Sequence, residues 1–247
     1  MTGRGVRALL RRDLKLFLLQ RSRLLGTLAQ PLLIWLVLGA GLAPSFAGDA
    51  EGPGYMRFFY PGAVVMMLLM TSISATMSVI EDRHQGFLQG VLAAPVGRWE
   101  LALGKTLGGA FLGLVPAVIL VLIGPVAGFA YTEMNPVAIA VGLLLTAVAF
   151  TAVGFALAWK LDSSAGYHVV MSAVLFPLWV LSGAMFPMEP THPVLSWIGR
   201  LNPMSYAVTV VRGGFEGAPA SDLMVPAAVL LGVTAAGILL AIRIVRK

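Results

Sequence analysis

The polar side chains that could support chemistry are few in this sequence, and they are scattered. The histidines His84, His168 and His192 lie in separate segments, and none is followed by a carboxylate or another histidine one helical turn later. That spacing does not suit a metal site, whose ligands recur at short intervals. The sequence contains no cysteine, which excludes a disulfide framework and a thiolate metal site. We therefore predict no catalytic residue, no metal ligand and no enzyme activity for this chain.

One short motif is similar to the end of a phosphate-binding loop. Residues 103–106 read LGKT, but the loop pattern requires a glycine five positions before Gly104, where this chain has Trp99. An apolar run follows at once. We therefore interpret Lys105 as a membrane-interface anchor whose stem lies in lipid while its charge reaches water, and we expect no nucleotide binding by this chain.

The elements that must position these side chains are membrane-spanning helices. Hydrophobic residues make up 58% of the 247 and charged residues 11%, with a mean hydropathy of +0.89. Too little polar surface remains to cover a water-soluble globule. A spanning helix needs about 20 apolar residues, and such runs occur at 24–42, 58–80, 101–129, 136–159, 167–186 and 223–242. Because the runs are continuously apolar, we predict an all-α polytopic membrane protein with six transmembrane helices in one domain, residues 1–247.

The distribution of basic residues predicts the orientation. With both termini in the cytoplasm, most of the 17 lysines and arginines fall on the cytoplasmic side, and only Arg57, Arg200 and Arg212 fall outside. Topology and attraction to anionic lipid account for the formal net charge of +6. A nucleic-acid partner is therefore not predicted.

An amphipathic helix is predicted before the first span, over residues 4–23. At about 100° per residue, basic and apolar side chains separate onto opposite arcs. The basic arc holds Arg4, Arg7, Arg11, Arg12 and Lys15, and the apolar arc holds Val6, Leu9, Leu10, Leu14, Leu16 and Phe17. This pattern indicates a helix lying in the membrane interface, and the alternative is a solvated basic tail. Asp13 falls in the apolar arc without a physical explanation.

The segment EDRHQGFLQGVLAAPV, residues 81–96, interrupts the apolar sequence between the second and third spans. A short helix is predicted over 85–94, and Pro95 ends it. Phe87, Leu88, Val91 and Leu92 form an apolar stripe, Gly86, Gln89, Gly90 and Ala93 form an opposite face with little bulk, and Glu81, Asp82 and Arg83 precede the helix. We expect a cytoplasmic partner to bury the stripe, at roughly 1.5 to 3 kcal/mol for each side chain. The alternative is an amphipathic loop resting on lipid.

Three stretches together resemble the permease subunit of ABC type-2 exporters. They are residues 58–105, which contain SVIEDRHQGFLQGVLAAPV, then LFPLWVLSGAMFP at 175–187 and LNPMSYAVTVVRGGF at 201–215. The resemblance runs over most of the chain, in the order usual for the family. It implies a homodimer of permeases, paired with two copies of a separate ATPase subunit that carries the P-loop and binds ATP and Mg. It also implies that 85–94 is a coupling helix inserted into the ATPase.

The resemblance implies further expectations about place and substrate. The protein is expected in the bacterial or archaeal cytoplasmic (inner) membrane, with no cofactor on this chain. Export of amphiphilic drug-like or lipid-like substrates is expected. Two alternatives stay open, namely an exporter of lipid-linked polysaccharide and a membrane assembly subunit that transports nothing.

Side chains on the second and fifth spans are predicted to line the substrate path, as the resemblance implies. They are Met66, Met70, Thr71, Ser74 and Met77 on the second span, and Ser172, Phe176 and Trp179 on the fifth. Methionine and aromatic surfaces adapt to varied apolar ligands. The alternative is ordinary helix packing, which produces the same stripes.

Residues 187–216 are predicted to form a re-entrant cap on the outer side, which the resemblance implies. Asn202 is predicted as the N-cap and Pro203 as the first turn of a short helix that ends near Arg212. Together with Tyr206, these residues are assigned to an outer gate. The alternative is an extracellular loop that contains a short helix.

Overall fold

The computed structural model describes residues 6, 7, 10–12, 21–42, 54–93, 97–187 and 193–246. Regular structure in these ranges is helical. The helices are α1 (Arg21–Leu42), α2 (Tyr55–Thr76), α3 (Ser78–His84), α4 (Phe87–Ala93), α5 (Arg98–Leu122), α6 (Pro136–Lys160), α7 (Ser164–Trp179), α8 (Pro193–Leu201), α9 (Pro203–Phe215) and α10 (Ala220–Arg246). The predicted all-helical fold class is confirmed for this part of the chain.

Five helical stretches among the described residues are long and apolar enough to cross a membrane. They are Tyr55–His84, which combines α2 and α3, then α5, α6, Ser164–Ala184, which combines α7 and the turn after it, and α10. They correspond to the second through sixth predicted spans. The predicted first span, 24–42, lies within α1, whose described apolar part, Leu28–Leu42, is shorter than the roughly 20 residues that cross a bilayer. The count of six spans therefore stays a prediction.

The amphipathic helix predicted at 4–23 is described in part. Residues 6, 7 and 10–12 are helical, with Arg7 and Arg11 exposed and Leu10 half-buried. Arg7, Arg11 and Leu10 agree with the two predicted arcs, whereas Arg12, which was assigned to the basic arc, is half-buried and pairs with Asp82. The other residues from 4 to 20, Asp13 and Lys15 among them, lie outside the described residues.

Helix α2 forms the centre of the bundle. Its Phe59, Val64 and Leu68 are fully buried, and it packs against α1, α5 and α6. A Cβ added at Gly113 of α5 would lie 2.7 Å from Ser72 Oγ of α2, so a small residue is required where these two backbones approach. Close packing of this kind transmits displacement with little compression, and α2 and α5 are therefore expected to move together.

The third predicted span ends earlier than expected. The sequence predicts it to reach 129, whereas α5 ends at Leu122 and a 3₁₀ turn, Gly124–Ala127, follows. Pro125 in that turn has no N–H to donate to an α-helical ladder, and Gly128 then takes a left-handed φ of 89°. These two residues explain the early end.

The chain after α7 is irregular. A π-helical turn, Val180–Ala184, follows α7, and within it Gly183 has a φ of 80°, a conformation that favours glycine. Helices α8 and α9 come next, with 9 and 13 residues. Each is too short to cross a bilayer, which needs about 20 residues. One short helix was predicted here, and it corresponds to α9, whereas α8 was not predicted. The re-entrant position of this segment in the membrane stays a prediction.

Candidate functional site

The helix predicted at 85–94 is present, and it is shorter than predicted, at Phe87–Ala93. Gln85 and Gly86 form a turn between α3 and α4, and Gly86 has a φ of 74°. Most side chains are strained in this left-handed conformation, and glycine is not. Gly86 therefore sets the direction of α4. The prediction that it belongs to the low-bulk face of the helix is wrong, because it lies in the turn before α4. Pro95 lies outside the described residues.

The apolar stripe of α4 faces the protein itself. Leu88 is 4% exposed, and Phe87 and Val91 are partly buried against the same core. The prediction that a partner buries this stripe is wrong for Leu88, because packing within the chain has already removed it from water. The side chain of Leu92 lies outside what the structure describes. The exposed residues of α4 and the end of α3 include Glu81, Gln89, Gly90 and Ala93.

A buried ion-pair cluster lies beside α4, and the sequence analysis missed it. Lys105 Nζ donates to Asp82 Oδ2 at 2.6 Å, and the two side chains are 2% and 5% exposed. Arg12 donates to the same carboxylate through both terminal nitrogens, at 2.8 and 3.2 Å. The interpretation of Lys105 as an interface anchor is therefore wrong, because its charge meets a carboxylate and not water. The available signal was a lysine two turns inside an apolar helix, because an ammonium there needs a compensating charge wherever it does not reach water.

Arg12 also contacts α4. Its guanidinium carbon lies 3.9 Å from the centroid of the Phe87 ring, within the range of a cation–π interaction. One side chain therefore contacts α3 through Asp82 and α4 through Phe87, on the two sides of the turn at Gly86. The N-terminal segment, α3, α4 and α5 meet at this point.

Two further arginines connect this region to the ends of other helices. Arg83 donates to the carbonyl of Trp159 and to Oδ1 of Asp162, both at 2.6 Å, at the C-terminal end of α6. Arg98, the first residue of α5, donates to the carbonyl of Val245 at 3.2 Å, at the C-terminal end of α10. A cation at a helix C-terminus satisfies carbonyls that have no intrahelical partner. The short α3–α4 segment and the start of α5 are thus attached to α6 and α10.

An apolar groove of about 360 Å³ lies between α1, α2 and the end of α7. It brings together three of the predicted path residues, Met66, Phe176 and Trp179, and its other lining residues are Leu33, Ile34, Val37, Leu38 and Met185. The Trp179 indole N–H donates to the carbonyl of Gly62 at 2.9 Å, which fixes the ring against α2. The lining suits an alkyl chain or an apolar ring system.

The other predicted path residues do not line this groove. They are Met70, Thr71, Ser74, Met77 and Ser172. Thr71 and Ser74 donate to carbonyls four residues earlier in α2, at 2.8 and 2.9 Å, a bond within the helix that occupies the hydroxyl. Met70 and Met77 pack against the core. The contacts of these four residues are those of helix packing.

Asn202 and Pro203 begin α9 as predicted. Asn202 Oδ1 accepts the backbone N–H two residues further on, at 3.0 Å, and Pro203 occupies the first helical position. The Asn202 side chain also donates to the carbonyl of Leu178 at 2.6 Å. The Tyr206 hydroxyl donates to the carbonyl of Arg200 at 2.6 Å. These bonds attach α9 to α7 and α8.

Arg212 contacts the π-helical turn that follows α7. It donates to the carbonyl of Gly183 at 2.8 Å, and its guanidinium carbon lies 4.2 Å from the centroid of the Phe58 ring. Burial lowers the pKa of this guanidinium, and the carboxylate of Glu216 opposes that shift. The group stays charged, because the ordinary pKa of arginine lies far above neutrality. Asn202 therefore anchors α9 to the last turn of α7, and Arg212 anchors it to the π-helical turn that follows.

The described residues offer no obvious place for a metal or a phosphate loop. Within those ranges, no three histidine, cysteine, aspartate or glutamate side chains come together in a way that could hold a metal ion. Gly104, Lys105 and Thr106 lie buried inside α5, where their backbone amides belong to a helix. An amide in a helical ladder does not cradle phosphate as a glycine-rich loop does.

Comparison with known proteins gives the family. The family described as ABC-2 type transporter matches residues 4–215, from the N-terminal segment to the end of α9. The chain belongs to the ABC-2 type transporter family. The resemblance stated from the sequence is thereby confirmed, and the five candidate spans together with the family match make this ABC-2 chain a membrane protein.

Several relatives of this ABC-2 chain are named transport permeases. It is 28% identical over 198 residues to "Putative transport permease ycf38" of Cyanophora paradoxa, and the aligned region covers 76% of this chain and 66% of the relative. It is 28% identical over 196 residues to "Inner membrane transport permease YadH" of Escherichia coli K12, covering 77% of this chain and 76% of the relative. It is also 28% identical over 216 residues to "Nodulation protein J" of Neorhizobium galegae, covering 82% and 77%.

Proposed function

We propose that this ABC-2 chain is the permease subunit of an ABC exporter. Two copies pair with two copies of an ABC ATPase, which supplies the binding of ATP and Mg. The family implies an ATPase partner. The clustering of basic residues supports cytoplasmic termini, and the name of the Escherichia coli relative, an inner membrane transport permease, supports the inner membrane of a prokaryote. The chain itself carries no catalytic role.

The observation that carries this proposal is the set of contacts around α3 and α4. A loop that only joined two spans would need few contacts with other helices. Here Asp82 pairs with Lys105 of α5, Arg83 with the end of α6, and Arg98 at the start of α5 with the end of α10. A push on this segment therefore acts on several helices at once.

The proposed mechanism is alternating access. Closure of the two ATPases on nucleotide displaces α4, and the attached helices α2, α5, α6 and α10 follow as packed bodies. At the other end of the bundle, Asn202 and Arg212 connect α9 to the last turn of α7 and to the π-helical turn after it. Movement of the spans there opens the outer gate, to which these residues and Tyr206 belong.

The ATPase docks on the exposed face of α4, and not on its apolar stripe. That face holds Gln89, Gly90 and Ala93, with little side-chain bulk. A Cβ added at Gly90 would meet no described atom of the chain within 4 Å, so another surface has room to approach there. Leu88 on the other side holds α4 on the bundle, which is what transmits the push.

The substrate class that fits best is an amphiphile with an alkyl chain or apolar rings. The groove between α1, α2 and α7 is lined by apolar side chains, and Val37 and Phe176 on its walls are exposed. An apolar wall of this kind is favourable to an alkyl group leaving the bilayer. A lipid-linked glycan carries such a chain as well, and stimulation of ATP hydrolysis by an amphiphilic dye or by a lipid-linked oligosaccharide separates the two.

The docking proposal is tested by Gly90→Trp. The chain has room for this side chain, so the permease is expected to insert and to elute as a single species, while the co-expressed ATPase no longer co-purifies. Lys160→Trp, at an exposed position at the end of α6, is the matched control and is expected to retain the ATPase. Full retention by Gly90→Trp contradicts docking on this face.

A further inference from the structure

We propose that Arg12 is a positioning residue that stiffens the joint between α3 and α4, so that displacement of α4 reaches α3 and α5. The inference rests on the proposed function, because it concerns how a push by the ATPase is passed on. It assigns a role to the N-terminal segment, which the docking proposal leaves without one.

The joint itself is built to bend. Helix α3 ends at His84, and Gln85 and Gly86 turn the chain into α4. Gly86 has a φ of 74°, and a glycine has the widest choice of alternative backbone conformations. Helix α4 has seven residues, which is short for a helix to hold its own direction. Leu88 holds α4 against the core at one position, but without a contact across the turn a push on α4 would be partly absorbed by rotation about Gly86.

Arg12 spans the joint. Its two terminal nitrogens donate to the two carboxylate oxygens of Asp82, before the turn, at 3.2 and 2.8 Å. Its guanidinium carbon lies 3.9 Å from the centroid of the Phe87 ring, after the turn. A guanidinium is planar and rigid, and it combines a bidentate carboxylate contact with a stacked aromatic contact. Rotation of α4 about Gly86 would have to break one of the two.

Asp82 is itself fixed to the next span. Its Oδ2 accepts from Lys105 Nζ at 2.6 Å, and the Lys105 side chain is 2% exposed. A buried ion pair of this kind has defined geometry, because moving either charge exposes it to an apolar surrounding. The contacts therefore run in sequence from Phe87 through Arg12 and Asp82 to Lys105, which is from α4 to α5.

Removing Arg12 leaves the rest of this arrangement in place. The Asp82–Lys105 pair keeps its two opposite charges, and the Arg12 side chain is 31% exposed, so Arg12→Gln is expected to fold. Arg12→Lys keeps the charge and loses the planar fork. Arg11→Gln is the matched control, because Arg11 is the neighbouring arginine of the same segment and is exposed.

The test separates docking from transmission in the complex of this chain with its ATPase, in lipid nanodiscs. The sequence has no cysteine, so Thr132→Cys, exposed beyond the far end of α5, carries one spin label in each permease. Double electron–electron resonance gives the distance between the two labels with and without ATP, Mg and vanadate. ATP hydrolysis is measured on the same samples.

In the unmodified and Arg11→Gln chains, nucleotide is expected to shift the label distance. In Arg12→Gln, the ATPase is expected to co-purify and to hydrolyse ATP, whereas the shift in label distance falls to less than half of that in the unmodified chain. The shift in Arg12→Lys is expected to lie between these two values. An undiminished shift in Arg12→Gln overturns this inference alone, and so does loss of the ATPase from that variant, since Arg12 would then act on docking. Absence of a shift in the unmodified complex overturns the proposed function and this inference with it.

Discussion

Removal of the charge on Asp82 is expected to destabilise the fold strongly. At an N–O distance of 2.6 Å, the attraction between Asp82 and Lys105 is roughly 6 kcal/mol at an effective dielectric constant near 20, before the cost of desolvation. Asp82→Asn removes this attraction from an ammonium that is 2% exposed. Breaking one side of a buried pair costs about 3 to 5 kcal/mol, which is about two to four factors of ten in the unfolding equilibrium constant.

A double-mutant cycle isolates the pair. Lys105→Met is expected to cost less than Asp82→Asn, near the lower end of the same range, because Arg12 continues to donate to Asp82. Combining the two substitutions removes both charges, so the double variant is expected to be more stable than Asp82→Asn alone. The free energy of unfolding is measured by SDS titration in mixed micelles, followed by circular dichroism.

The exposed pair Arg57–Glu133 supplies the control. Its side chains are 36% and 54% exposed, and an exposed pair contributes about 0 to 1 kcal/mol, so Glu133→Gln is expected to change little. A cost of less than about 1 kcal/mol for Asp82→Asn would refute the reasoning, because Lys105 would then have to reach water. Strict additivity in the cycle would refute it as well.

Three further predictions concern a packing contact, a helix cap and the apolar groove. Gly62→Leu is expected to lower the free energy of unfolding by about 1 to 3 kcal/mol through overpacking, because a Cβ there would lie 2.8 Å from the carbonyl oxygen of Ala184. The same SDS titration measures this loss. Gly232→Leu is the control and is expected to cost nothing, because a Cβ there would meet no described atom within 4 Å. Asn202→Ala loses an N-cap and a hydrogen bond to α7. Loss of the cap alone costs about 1 kcal/mol, so the rate of hydrogen exchange of the α9 amides should rise about fivefold or more. An unchanged exchange rate contradicts this prediction. Met66→Trp fills the apolar groove and should abolish stimulation of ATP hydrolysis by an amphiphilic dye while basal hydrolysis persists, and retained stimulation would remove the groove from the path.

The helices were predictable from the sequence because the signal for a spanning helix is a long run of like residues. The five described candidate spans match the predicted runs, and the α9 cap followed from Asn202 and Pro203 alone. Boundaries were less predictable: α5 ends at Leu122 because of local backbone chemistry at Pro125 and Gly128, which hydrophobicity does not register.

The helix α4 was predictable in position and not in orientation. An amphipathic pattern predicts that one face of α4 is buried, and it does not identify the surface that buries it. The stripe packs on the chain itself, with Leu88 in the core. Lys105 was misread for a related reason. A single lysine near a span end suits either a water-facing anchor or a buried pair, and the choice depends on Asp82, which is brought near by the fold.

Binding of an ABC ATPase to the exposed face of α4 is tested most directly by site-specific photo-crosslinking. A benzophenone amino acid placed at Gln89, in the complex within native membranes, is expected to cross-link to the ATPase. The same probe at the exposed Thr132, beyond the far end of α5, is expected not to. Cross-linking that depends on the α4 position supports the account. An ATPase that binds this chain without any cross-link from Gln89, Gly90 or Ala93 would contradict it.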